Sequence, residues 1–102
     1  MAFVRVDTFI VPNDHPCLPG HFPGQPVVPG VLILQEVAAR IGVLWMGARL
    51  AEVTQVKFQS PLLPGEPCTL FFDDTDARRV RFECRVDDRL IASGAVLTED
   101  RT

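Results

Sequence analysis

The stretch Gly20-His21-Phe22-Pro23-Gly24-Gln25-Pro26-Val27-Val28-Pro29-Gly30-Val31-Leu32-Ile33-Leu34-Gln35-Glu36 decides how the rest of the chain is read. Pro23, Pro26 and Pro29 each fix their own φ and disfavour helix in the residue before them, which predicts a stiff extended loop. Gly20, Gly24 and Gly30 supply its bends. From Val31 the composition turns to helix formers without a break. Pro29 and Gly30 are therefore expected at a helix N-terminus, where backbone N–H groups lack partners and the dipole is positive. The imidazole of His21 is tethered near that pole.

Working outward, the helix predicted from about Gly30 to Met46 is apolar nearly all round, the pattern of a helix wrapped by other structure on most sides. Glu36 and Arg40, at i and i+4, form its solvated edge. Another stripe, Val31, Gln35, Ala38 and Gly42, sets one polar side chain among small residues. It permits close approach by a strand, a second helix or a thin acyl chain, and plain packing and an acyl tunnel both fit it.

On the N-terminal side, Phe3 to Val11 has the β-branched and aromatic content of a strand, with Val4, Val6 and Ile10 on one face and Arg5 and Asp7 on the other. Pro12-Asn13-Asp14 ends it, and His15 follows as a surface loop histidine. After Gly47 the chain reads as strands near 52–60, 67–73, 78–86 and 89–98, broken at Pro64-Gly65, Asp73-Asp74 and Asp87-Asp88. In the third of these, Val80, Phe82, Cys84 and Val86 alternate with Arg79, Arg81, Glu83 and Arg85, so one face is buried and the other wet. One strand, one long helix and four meandering antiparallel strands predict a single α+β domain over residues 1–102, a sheet curled around a helix.

Composition narrows the function classes. A chain of 102 residues that is 47% hydrophobic can build one real but small core, to which partner subunits would add. A net charge of −3 with no run of like charge argues against a nucleic-acid surface. Cys17, Cys68 and Cys84 are widely spaced, without a CxxC pair or clustered histidines, which points to reduced thiols in a cytoplasm and to no metal site. Arg5 and Asp7 interrupt the first apolar stretch, so no signal-peptide core is expected. Gln35, Glu36 and Arg40 break the longest apolar span, which excludes a membrane helix there.

The motif H-F-P-G-x-P-x-x-P-G-V-L-I-L from His21 to Leu34 resembles the signature of the β-hydroxyacyl-(acyl carrier protein) dehydratases, which adopt the hotdog fold. A second patch, Val56-Lys57-Phe58-Gln59-Ser60-Pro61-Leu62-Leu63-Pro64-Gly65-Glu66, is similar to the V-K-F…P…P-G-D/E segment of the same family. The short length is closest to the compact dehydratase-like proteins of aryl-polyene and xanthomonadin-type pigment clusters. The resemblance implies an antiparallel sheet wrapped around one long central helix, paired into a dimer. It also implies that a (3R)-hydroxyacyl thioester, on the phosphopantetheine of acyl carrier protein or CoA, loses water without another cofactor.

That reaction needs a base for the proton α to the carbonyl, an acid for the leaving hydroxyl and a donor for the developing enolate. In the family the histidine of H-F-P-G is the base, which falls on His21. The donor falls on the Gly30 backbone N–H, and Phe22, Pro29, Val31 and Ala38 are expected to line the substrate. The family's acid, supplied by the helix of the other subunit, falls on Gln35, and a primary amide has no proton to give at neutral pH. Glu36 lies about 100° further round the helix. Four readings stay open: a dehydratase in which His21 makes both transfers, a subunit whose missing acid comes from a second dehydratase-like partner, an acyl-thioester-binding subunit, and a thioesterase using Glu36. Arg78, Arg79 and Arg81, with Arg85, are candidates for docking an acidic carrier protein, or simply the solvated face of a strand.

Overall fold

The alternation of Val80, Phe82 and Cys84 with Arg79, Arg81 and Glu83 gives the sheet its two faces. The three apolar side chains are buried, whereas both arginines stand exposed. The computed structural model describes residues 3–16, 27–45, 48–76 and 78–100. In chain order these form β1 (Val4–Phe9), α1 (Gly30–Leu44), β2 (Ala48–Phe58), β3 (Cys68–Asp73), β4 (Arg79–Val86) and β5 (Arg89–Asp100). The strands make one antiparallel sheet in the order β1-β3-β4-β5-β2, with α1 against one face, which is the hotdog arrangement. The tight turn at Asp87-Asp88 joins Val86 to its partner Arg89, with Asp87 at φ 53°, the left-handed conformation that Asp tolerates in two-residue hairpins.

The core lies between α1 and the sheet. Leu32, Ile33, Val37 and Ile41 descend from the helix onto Leu70, Phe72, Val80, Phe82, Ile91 and Val96. At the other end of α1, the ring of Trp45 leans on Phe72 with centroids 5.9 Å apart. Arg40 ties the helix to β1, donating to Asp7 at 3.1 Å and to Glu36 at 2.9 Å.

Several expectations change. Among the described residues the wrapping of the helix is incomplete, with Val31, Val43 and Leu44 58%, 74% and 47% exposed. The helix also stops at Leu44, where the Trp45 N–H closes the last turn on the Ile41 carbonyl at 3.0 Å. In β1 a register shift between Arg5 and Asp7 inverts the alternation. Phe9 and Val11 reach the core, while Val4 and Ile10, expected on the buried face with Val6, are 61% and 58% exposed. The second strand starts at Ala48 rather than 52, since β5 runs on to Asp100 and pairs with it throughout. Two register shifts in β2 give it the half-buried set Ala48, Leu50, Val53 and Val56, which strict alternation would not select.

Candidate active site

Two loops converge at the N-terminus of α1. The Val28 N–H donates to the Leu62 carbonyl at 2.8 Å, joining the segment ahead of the helix to the Pro61–Pro64 loop. The Gly65 N–H donates to the Val11 carbonyl at 2.8 Å, and the Gln59 N–H to that of Ile91, also at 2.8 Å, so the loop is held from both sides. Leu63 to Glu66 forms a turn closed by the Glu66 N–H on the Leu63 carbonyl at 3.2 Å, and Gly65 supplies its required positive φ of 87°. Glu66 Oε1 accepts from the Leu63 N–H, and Arg89 grips both carboxylate oxygens. The Leu63 N–H and the guanidinium hold Glu66 below the usual carboxylate range, against the opposing effect of burial.

Pro29 stands at the N-cap with φ −60° and ψ 142° and offers no side-chain hydrogen bond to the first turn. The Leu32 N–H returns to the Pro29 carbonyl at 3.0 Å. The first turn of α1 has no acidic side chain to neutralise its positive end. An apolar cavity of about 420 Å³ opens at this point, walled by Val27, Pro29, Gly30, Ile33, Phe58 and Leu62, with Gln59 and Ser60 adding polar groups. The arrangement can take an apolar chain and polarise a carbonyl laid against the helix start.

Of the residues singled out from sequence, Pro29 and Gly30 line this cavity. His21 and Phe22 lie outside the described residues. Val31 and Gln35 are exposed and Ala38 is half-buried, none of them in the cavity wall. Gln35 instead shares an open stripe of α1 with Val31, Ala39, Gly42 and Val43. Glu36 accepts from Arg40 at 2.9 Å and is not in the cavity wall. Arg78, Arg79 and Arg81 are exposed, and the last two border a polar groove of about 330 Å³ with Gln55, Glu83 and Ser93, on the sheet face away from the helix. Arg85 bonds to Glu83 at 3.0 Å. Among the described residues, no group of three His, Cys, Asp or Glu side chains could hold a metal. No described helix is long and apolar enough to cross a membrane.

Sequence reasoning used the Val56–Glu66 patch only for register and missed that Phe58, Gln59, Ser60, Pro61 and Leu62 form half of the cavity wall. The signal was there in Pro61 and Pro64-Gly65, which turn the chain back toward Val28.

A sequence model of the ApeI-like family, described as ApeI dehydratase, matches residues 4–95. A 3-hydroxyacyl-(acyl-carrier-protein) dehydratase FabZ of Mannheimia succiniciproducens is 40% identical over 75 residues, covering 65% of this chain and 50% of the relative. The corresponding protein of Haemophilus influenzae is 39% identical over 66 residues, covering 56% and 45%. The chain thus spans about half the length of the curated relatives it matches. Among solved structures, the dehydratase heterocomplex ApeI:P from Xenorhabdus doucetiae superposes with a TM-score of 0.78 at 23% identity, covering 96% of this chain and 98% of that one. An uncharacterised protein from Erwinia carotovora superposes at 0.76 with 25% identity and 98% of each chain covered. The fluoroacetyl-CoA thioesterase FlK follows at 0.61 and 19%, covering 99% and 89%, a likeness of fold alone.

Proposed function

The chain belongs to the ApeI-like dehydratase family, and from that premise we propose that it removes water from a (3R)-hydroxyacyl thioester, carried on the phosphopantetheine of acyl carrier protein or of CoA. The product is the trans-2-enoyl thioester. His21 takes the proton α to the carbonyl. The Gly30 N–H, with the positive end of α1 behind it, donates to the thioester oxygen as charge develops there. Gln35 orients the leaving hydroxyl through its amide but gives it no proton. The proton taken by His21 returns to that hydroxyl, the C–O bond breaks, and water leaves.

The observation that carries this reading is the apolar cavity opening on the uncapped start of α1, immediately downstream of the segment that contains His21. The exposed stripe supports a site shared between subunits. Gln35 faces outward on α1, and β2 is an edge of the sheet with no partner strand on its outer side among the described residues. Pairing two β2 edges would cover an 11-residue strand and bring each exposed helix stripe toward the other protomer.

A second reading is a heteromer in which a different dehydratase-like subunit supplies the missing carboxylate. It is favoured by the amide at position 35 and by the structural likeness to a chain of a dehydratase heterocomplex. The test follows hydration and dehydration of a crotonyl or 3-hydroxyacyl thioester by absorbance, with the protein alone and with its co-purified partners. Turnover that disappears in His21→Ala supports the proposal. Release of free thiol would identify a thioesterase, absence of both a binding subunit, and turnover surviving His21→Ala would remove His21 from the chemistry.

A further inference from the structure

Phe58 is the last residue of β2, and its ring is seated end-on against Gly30. A Cβ on residue 30 would fall 2.6 Å from Cζ, 2.9 Å from Cε1 and 3.1 Å from Cε2 of that ring. Real Cβ atoms do not approach carbon so closely, so the space a side chain would occupy at position 30 belongs to Phe58. The ring is 52% exposed, yet it walls the apolar cavity beside Pro29, Ile33 and Leu62. An aromatic ring thus borders the backbone group to which the thioester oxygen is assigned.

The distances set a consequence. An oxygen accepting from the Gly30 N–H lies about 3 Å from that nitrogen. The α-carbon is separated from the oxygen by only the carbonyl carbon, so any substituent on it falls close to the Gly30 backbone, where the ring stands. We propose that Phe58 is the specificity-determining residue of this site, its ring limiting the acyl group to one unbranched at the α-carbon. The inference rests on the assignment of the thioester oxygen to Gly30 but not on turnover, since exclusion by the ring acts on binding. A 2-methyl-3-hydroxyacyl thioester keeps one α-hydrogen and could still lose water, so the discrimination is steric and not chemical.

The experiment measures binding of butyryl-pantetheine and 2-methylbutyryl-pantetheine thioesters to the full chain by calorimetry, for wild type, Phe58→Leu and Phe58→Ala, with circular dichroism confirming the fold of each. Wild type is expected to prefer the unbranched ligand by about tenfold, the low end of the range that one methylene group commands in a hydrophobic pocket. The preference should shrink in Phe58→Leu and nearly vanish in Phe58→Ala through gain of the branched ligand. Equal preference in all three proteins would overturn the proposal, as would a loss of preference arising only from weaker butyryl binding. Turnover of 3-hydroxybutyryl and 2-methyl-3-hydroxybutyryl thioesters, run in parallel, separates the two claims. Selective binding without water loss would sink the dehydratase reading and leave Phe58 in its role, whereas water loss with unaltered selectivity would do the reverse.

Discussion

Arg89, the first residue of β5, grips both carboxylate oxygens of Glu66 at 2.7 and 2.8 Å, fastening the Pro-Gly-Glu turn to the β4–β5 hairpin. Because that turn leads back to Leu62, which holds Val28 ahead of α1, the pair steadies one wall of the cavity.

Glu66 titrates below its ordinary value of 4.5 through the Leu63 N–H and Arg89. A depressed folded-state pKa stabilises the protein fully above the unfolded value, and the contribution falls away as pH drops from there through the lower folded value. Glu66→Gln should therefore lower the melting temperature at pH 7, and the gap to wild type should close as pH falls below about 4.5. Thermal melts by circular dichroism across that range check the sign. A gap that stayed constant would mean the carboxylate charge contributes nothing.

Gly30→Ala must move the Phe58 ring. Overpacking costs about 1–3 kcal/mol, and a half-exposed ring that can swing outward puts this site at the low end. Near 1 kcal/mol, a domain of this size loses about 4–8 °C in melting temperature. Phe58→Ala should remove most of the penalty, so a double-mutant cycle should show coupling between the two positions.

His21→Ala should abolish dehydration by the protein alone and, in a complex with a second subunit, remove the sites that are built on His21. General acid catalysis contributes about 10²–10⁴-fold, so a homo-oligomer relying on Gln35 should be slow by that order, and Gln35→Glu should recover part of it. Little gain from Gln35→Glu in a complex that is already fast would identify a partner as the source of the acid. Absorbance assays of wild type, His21→Ala and Gln35→Glu, alone and in complex, distinguish these outcomes.

Ala39 is exposed on the same stripe as Gln35. If that stripe and β2 meet a second protomer, Ala39→Arg should leave the chain folded but shift its mass toward the monomer, with turnover falling in step. Light scattering at micromolar concentration reads the first effect. A wild-type monomer would remove the shared site.

Arg79 and Arg81 border the polar groove on the outer sheet face, and Arg81 pairs across the strands with Asp73. If an acidic carrier protein docks there, Arg79→Glu should weaken its binding several-fold and flatten the dependence on salt. Unchanged affinity and salt slope would leave the arginines as a solvated strand face.

Much of this protein was legible from local signals. Proline and glycine punctuation placed the start of α1 at Gly30, where the structure begins it, because both residues act on their own φ and ψ and need no distant partner. The alternation in β4 named its buried face for the same kind of reason. Tertiary structure alone decided the rest. The shift at Arg5/Asp7 put Phe9 and Val11 rather than Ile10 in the core, since a bulge depends on the neighbouring strand, and Val4 is exposed although it pairs with buried Phe72. Helix composition suggested cover on most sides, but none of the described residues covers Val31 and Val43. Phe58 and Gly30, 28 positions apart, meet only because β2 returns along α1, and no local pattern in either stretch announces that a ring at one position forbids a side chain at the other.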